Sequence, residues 1–380
     1  MQKKLIALTI AGLASGTAAA QTNVTVYGVA DVGYVYSAGD AGRNGLGVRI
    51  PGTNKFSGLA GGGVTAGNRL GFKGEEALGN GLKAVFTLEY ALELDTNAGV
   101  GSTGGLNARQ QFVGLQSKLG TVALGRQYAP GFDATANNDA LEATDMSIQS
   151  NFSVYAGNTI TPNSPSRYNN SISYTSGNMS GLTLKAIYGF GENAVGGLNN
   201  TSTSDNGLLG LGVNYARGPI NLDAVYHSRQ NVTVGYPNAA GLGKDINEWY
   251  LGGSWDFQFV KAYASYQALD NKNATTLGID DNTLWTVGIS VPVFKSGVIG
   301  LSYGKLSIDR KNASDGASTG WGAMYTHSLS KRTAVYVAYT FIDNDRNSIA
   351  IQTQVANGGA GIGAVGESNY TLGTGIRHSF

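Results

Sequence analysis

Three arginines open three short segments of similar grammar: Arg69 in RLGFKGE, Arg109 in RQQFVG and Arg167 in RYNNSISY. Apolar residues recur there at every second position, the period of a strand whose side chains alternate between two faces. With Leu70, Phe72, Phe112, Ile172 and Tyr174 on one face, the arginines fall on the other, although Val113 beside Phe112 blurs the middle segment. The same rule turns Lys83 and Lys185 to the polar face. A counterpart lies in residues 129–166, which carry Asp133, Asp139, Glu142 and Asp145 and no Lys or Arg. Basic groups facing acidic groups across a narrow, low-dielectric gap would create a transverse field that orients dipoles and sorts ions. The plainer reading of each residue is a solvated charge or a structural ion pair.

Other chemistry finds little support. The histidines His227, His327 and His378 lie in separate segments with no paired spacing for zinc, and Cys is absent. GLSYG (300–304) and GASTG (316–320) match the letters of a GxSxG nucleophile elbow but lie in or beside alternating runs, without the strand-to-helix turn that the motif needs. GIGAVG (361–366) matches a dinucleotide fingerprint in letters but lacks the flanking strand, helix and downstream acid. DNDRN (343–347) begins like a calcium loop without its Gly or closing Glu. No enzyme activity, cofactor or metal is therefore expected.

The elements that must hold these residues are strands. Of 380 residues, 57 are Gly and only 13% are charged, about half the usual share, yet 42% are hydrophobic. Residues 1–20 read as a cleaved signal peptide: a basic MQKK, an apolar LIALTIAGLA and a small-residue end, with cleavage between Ala20 and Gln21. The apolar run is too short to span a membrane as a helix. Without Lys3 and Lys4 the chain keeps 24 basic residues against 25 acidic, too little positive charge for a nucleic-acid partner.

Over residues 21–380, alternating runs of about ten residues predict sixteen strands. The first nine lie near 24–36, 67–75, 81–94, 107–117, 120–128, 167–177, 181–190, 207–217 and 219–230. The rest lie near 247–257, 259–270, 283–294, 297–309, 319–329, 332–343 and 370–380. Tight connectors such as EALGNG, SKLG and ARGP alternate with long Gly/Asn/Ser-rich ones at 37–66, 129–166 and 344–369, among others. That alternation, strand length and a polar second face predict an all-β, 16-stranded antiparallel transmembrane β-barrel rather than a sandwich, with short periplasmic turns and long extracellular loops. Trp249, Trp255, Trp285 and Trp321 near strand ends fit its interfacial girdles. The longest connector, 129–166, shows no helical period and carries Phe132, Met146, Ile148 and Phe152, which have little reason to sit in open solvent; folding into the lumen would shelter them.

NRLGFKGEEALGNGLKAVFTLE (68–89), RQQFVGLQSKLGTVALGRQY (109–128), RYNNSISY (167–174) and the ending GIRHSF resemble the general porins of Gram-negative outer membranes, with greatest similarity to those of β-proteobacteria. The resemblance runs from the signal peptide to Phe380. It implies a homotrimer in the outer membrane, in contact with lipid and lipopolysaccharide. It also implies a third loop folded inward as a constriction opposite Arg69, Arg109 and Arg167, and passage of small hydrophilic solutes and ions with a weak lean to anions. Phe380 resembles the terminal signal read by the barrel-assembly machinery, and Arg126 the position that ties a neighbouring loop or subunit. The alternatives are a substrate-selective channel with a saturable lumen site, a barrel enzyme, or an adhesin.

Overall fold

The computed structural model describes residues 23–42, 48, 50–96, 107–161, 166–191, 202–234, 241–273, 279–350 and 362–380. The expected signal segment and its Ala20–Gln21 junction lie outside them. The first strands are β1 (Asn23–Asp40), β2 (Thr53–Ala60), β3 (Arg69–Gly79), β4 (Leu82–Ala91), β5 (Ala108–Ser117) and β6 (Gly120–Tyr128). Two helices follow, α1 (Pro130–Asn137) and α2 (Ile148–Tyr155). The chain continues through β7 (Arg167–Ser176), β8 (Leu182–Gly189), β9 (Leu208–Arg217), β10 (Ile220–Arg229) and a small hairpin, β11 (Thr233–Val234) with β12 (Gly241–Leu242). It ends with β13 (Ile246–Asp256), β14 (Lys261–Asn271), β15 (Ile279–Val293), β16 (Gly297–Arg310), β17 (Gly316–Ser328), β18 (Thr333–Asn344) and β19 (Asn369–Ser379).

Every strand pairing is antiparallel, and sixteen strands form a closed ring. Closure rests on β1, whose first part pairs with β3 (Asn23 opposite Glu75) and whose later part pairs with β19 (Val29 opposite Ser379). Phe380 completes the seam by exchanging two backbone hydrogen bonds of 3.1 Å with Gly28. A ring leaves no unpaired edge, which a lipid environment requires. His378 shares an outward face with apolar neighbours, yet it lies beside the short turn before Thr333, where the two side chains hydrogen-bond at 2.9 Å.

Two expectations about connectors need correction. Residues 37–66 are not simply a loop: β1 runs on to Asp40, and β2 pairs with its upper part, Gly33 opposite Ala60. Residues 129–166 do contain secondary structure. Pro130 suits a first helical turn, where its missing N–H costs nothing. Ser147 caps α2 by accepting the Ser150 N–H at 3.2 Å. Each helix has only eight residues, too few to stand alone, so packing rather than periodicity sustains them.

That packing places the helices inside the ring. Trp285, Val287, Ile289, Leu301 and Tyr303 alternate outward and are 37–47% exposed. The inner face is covered: Leu284, Leu306 and Ile308 on the same strands and Ile342 on β18 are fully buried with Ile148 and Phe152. A second cluster joins Leu141 and Met146 to Val35, Val64 and Tyr336 on the adjoining wall around β18 and β1. Glycine makes the close approach possible. A Cβ at Gly300 would stand 2.5 Å from the Ala140 carbonyl, and one at Gly322 2.6 Å from Leu141 Cδ1. Phe152→Ala should remove about 3–5 kcal/mol of this docking energy. The expected readout is noisier open-channel current with an unchanged β-sheet circular dichroism spectrum; wild-type noise would contradict the docking role.

Candidate functional site

A cavity of about 540 Å³ lies between the wall and the helical connection. Arg69, Arg109, Arg167 and Arg377 bound it from β3, β5, β7 and β19, while Glu142 and Asp145 face it from the connection. Glu93, just beyond β4, and the stretch Gly62–Asn68 complete much of its outline. Consecutive antiparallel strands and the β1–β19 seam bring these arginines to one patch of wall from positions far apart in sequence.

The basic wall is held by one buried carboxylate, Glu89 on β4. Arg109 Nε donates to Glu89 Oε1 at 2.8 Å, and an Arg69 nitrogen stands 3.9 Å from Oε2. The Tyr27 and Tyr128 hydroxyls donate to the same carboxylate at 3.1 and 3.0 Å. Arg69 also donates through Nε to the Gly67 carbonyl at 2.9 Å. A carboxylate shared by two guanidiniums reduces their mutual repulsion and fixes their planes. Arg167 is held differently: its guanidinium carbon lies 5.1 and 5.2 Å from the ring centroids of Tyr128 and Phe132. Those rings stack at 3.7 Å, an aromatic shelf for the cation. Among the described residues, neither Arg167 nor Arg377 has an ion-pair partner.

In β5 the expected face of Phe112 needs correction: Val113 and Leu115 face out, Phe112 lines an inner space, and a bulge opposite Glu89 and Tyr90 turns Arg109 inward. Where alternation holds, it identifies a residue's face but not its height along the strand. Lys83 sits at the short-turn end, paired with Glu75 at 2.8 Å and away from the cavity. Lys185 pairs with Asp133 of α1 beside a separate space of about 180 Å³. Asp139 is 4% exposed. Its carboxylate accepts the Leu141 and Ala143 N–H groups at 3.1 and 3.0 Å and the Ser147 hydroxyl, so it braces the connection from within. Arg126 binds the Ala108 carbonyl and the Asn169 side chain at 2.9 and 2.6 Å, tying β5, β6 and β7 together. Glu89 stands out in the structure as the hub of the basic cluster; alternation puts it on the polar face of GLKAVFTLEY, but nothing local marks it as shared. Arg377 reaches the cavity only because the last strand closes on the first.

A closed ring of sixteen antiparallel strands, apolar outside and charged within, defines an outer-membrane channel. The Gram-negative porin family model matches residues 7–347. Outer membrane porin protein 32 of Delftia acidovorans is 32% identical, with all of both chains covered. An outer membrane porin of Bordetella pertussis is 28% identical over 90% of this chain and 95% of its own. Among solved structures, an anion-selective porin from Comamonas acidovorans superposes with a TM-score of 0.74 at 27% identity, covering 95% of this chain and all of its own. The chain belongs to the Gram-negative porin family, and it is an outer-membrane protein that provides a path for passive diffusion.

Glu93 supplies a test of the field. Burial, with Asp95 adding repulsion, raises its carboxyl above the ordinary range. It therefore takes up a proton before ordinary carboxyls as pH falls, and the cavity becomes more positive. The reversal potential in a salt gradient should move toward anions through that range, with Glu93→Gln flattening the change. A wild-type pH response in Glu93→Gln would contradict this assignment.

Proposed function

We propose that the cavity between the arginine wall and the helical connection is the constriction of the channel, and that it admits small hydrophilic solutes and ions with a weak preference for anions. The observation that carries this reading is the segregation of charge across one opening. Arg69, Arg109, Arg167 and Arg377 stand on the wall, opposite Glu142 and Asp145. Counting Glu89 and Glu93, four carboxylates balance four guanidiniums, so the preference depends on placement rather than net charge. Glu89 is committed to Arg69 and Arg109, Asp133 to Lys185, and Asp139 to backbone amides. Of the four wall arginines, Arg167 and Arg377 thus contribute the least compensated charge. A low-dielectric wall focuses that charge on passing ions.

The working form is a homotrimer surrounded by outer-membrane lipid and lipopolysaccharide. Outward Trp249, Trp255, Trp285 and Trp321, with Phe259 74% and Phe294 88% exposed at short turns, suit the two membrane interfaces. Phe380, held in the seam, serves the barrel-assembly machinery as a terminal signal. Purified protein in a planar bilayer should give stepwise conductance, and its absence would remove the channel reading. Arg377→Glu should shift the reversal potential toward cations, while Lys83→Glu leaves it nearly unchanged. Equal shifts from both variants would dissociate selectivity from this cavity.

A further inference from the structure

The wall itself contains a second device. The β1–β3 ladder ends where Val29 meets Arg69, and the β1–β2 ladder begins where Gly33 meets Ala60. Between these points the chain leaves the sheet at Gly61 and returns at Asn68, exposing a gap in the ladder beside Asp31. The Asn68 carboxamide fills that gap as a peptide group would. Its Oδ1 accepts the Asp31 N–H at 2.5 Å, and its Nδ2 donates to the Asp31 carbonyl at 2.9 Å.

The excursion between these ends points into the lumen. Asp31 is fully buried. Its Oδ2 accepts the Thr65 N–H at 2.8 Å, the Thr65 hydroxyl at 2.7 Å and the Ala66 N–H at 2.8 Å. Its Oδ1 accepts the Tyr336 hydroxyl at 2.5 Å. Val64, fully buried, wedges between Val35 on the wall and Leu141 and Met146 of the connection. The Asp145 N–H donates to the Val64 carbonyl at 3.2 Å, so the excursion also touches a segment that faces the cavity. Gly63 takes a φ of +103°, open to glycine and strained for other residues. A Cβ on Gly67 would meet an Arg109 nitrogen at 2.7 Å, so glycine there lets the arginine lie against the backbone.

We infer that Gly61–Asn68 is a second constriction element, clamped by Asp31, that sets the width of the opening without contributing charge to it. The inference rests on the channel reading above. Gly62, Gly63, Thr65, Ala66, Gly67 and Asn68 all line the same cavity as the arginines, and none carries a charge. Releasing the clamp should therefore alter conductance more than selectivity. Asp31 is a positioning residue in this scheme, since it acts through the segment it holds.

The test uses single-channel recording of the full-length protein. Asp31→Ala removes the shared acceptor, and its conductance should rise by roughly half while its reversal potential stays close to wild type. Ala66→Cys gives an independent readout because the chain has no Cys of its own. A methanethiosulfonate reagent carrying a sulfonate should lower its conductance and shift its reversal potential toward cations, with no effect on wild type. If Asp31→Ala fails to assemble, the labelled Ala66→Cys channel decides alone. Unchanged conductance after complete labelling, confirmed by mass, would overturn the inference while leaving wild-type conductance, and with it the channel reading, intact. Wild-type conductance in an assembled Asp31→Ala would also overturn it.

Discussion

The structure depends on burying apolar side chains inside a barrel whose lumen is otherwise polar. Leu141, Met146, Ile148 and Phe152 are fully buried, although they belong to a connection between two wall strands. Burial of each is worth about 1.5–3 kcal/mol, which favours a folded-in connection over a solvated one. The wall is shaped to receive them. Leu284, Leu306, Ile308 and Ile342 interrupt the polar inner face, and glycines such as Gly300 and Gly322 let the helices approach it. Where the connection docks determines where the lumen narrows, and hence which charges face one another.

Polar anchors hold the connection where apolar contact ends. At its far end, Glu248 accepts the Thr159 N–H and hydroxyl, both at 2.7 Å, and pairs with Arg229 at 3.1 Å. Near α1, Asn138 donates to Asp223 at 2.8 Å and accepts from Asn221 at 3.0 Å. Buried charges are stable only when their hydrogen-bonding capacity is met, so these contacts favour one position of the connection over neighbouring ones. Glu89 acts similarly on the opposite wall by holding two arginines around one carboxylate. Position and charge are thus supplied by different residues: apolar packing locates the opening, and the arginine wall gives it a field.

Much of this was legible because a strand's period is short and regular. The inward face of Arg69 follows from alternation, whereas Arg109 reaches the cavity through a bulge opposite Glu89 and Tyr90, and a register shift between Tyr168 and Ser171 lies beside Arg167. Lys83 obeys the same alternation but lies several residues along its strand, at the turn, because periodicity carries no information about height in the barrel. Asp139 shows a second limit: its composition suggests a pore-facing acid, whereas its local backbone makes it a brace. Leu284 falls on the inner face of LWTVGISV in the sequence, but its purpose emerges only with Phe152 against it. Asp31, Asn68 and Arg377 depend on contacts between distant segments, and no local pattern reveals such pairings. The two helices leave no periodic signal because IQSNFSVY and PGFDATAN are short and are sustained by burial.

The most direct measurement is to lock the helical connection to the wall while recording current. Ala140 and Gly288 suit this, since a Cβ on Gly288 would lie 2.7 Å from that of Ala140. A disulfide needs a Cβ spacing of about 3.5–4.5 Å, so a shift of about an ångström would accommodate one. With no native Cys to interfere, Ala140→Cys combined with Gly288→Cys should oxidise readily in assembled protein. Single-channel conductance should then be the same before and after reduction, because the bridge joins residues already in contact. Failure to form the bridge, or conductance that rises on reduction, would contradict a connection docked against the wall as the structure that defines the opening.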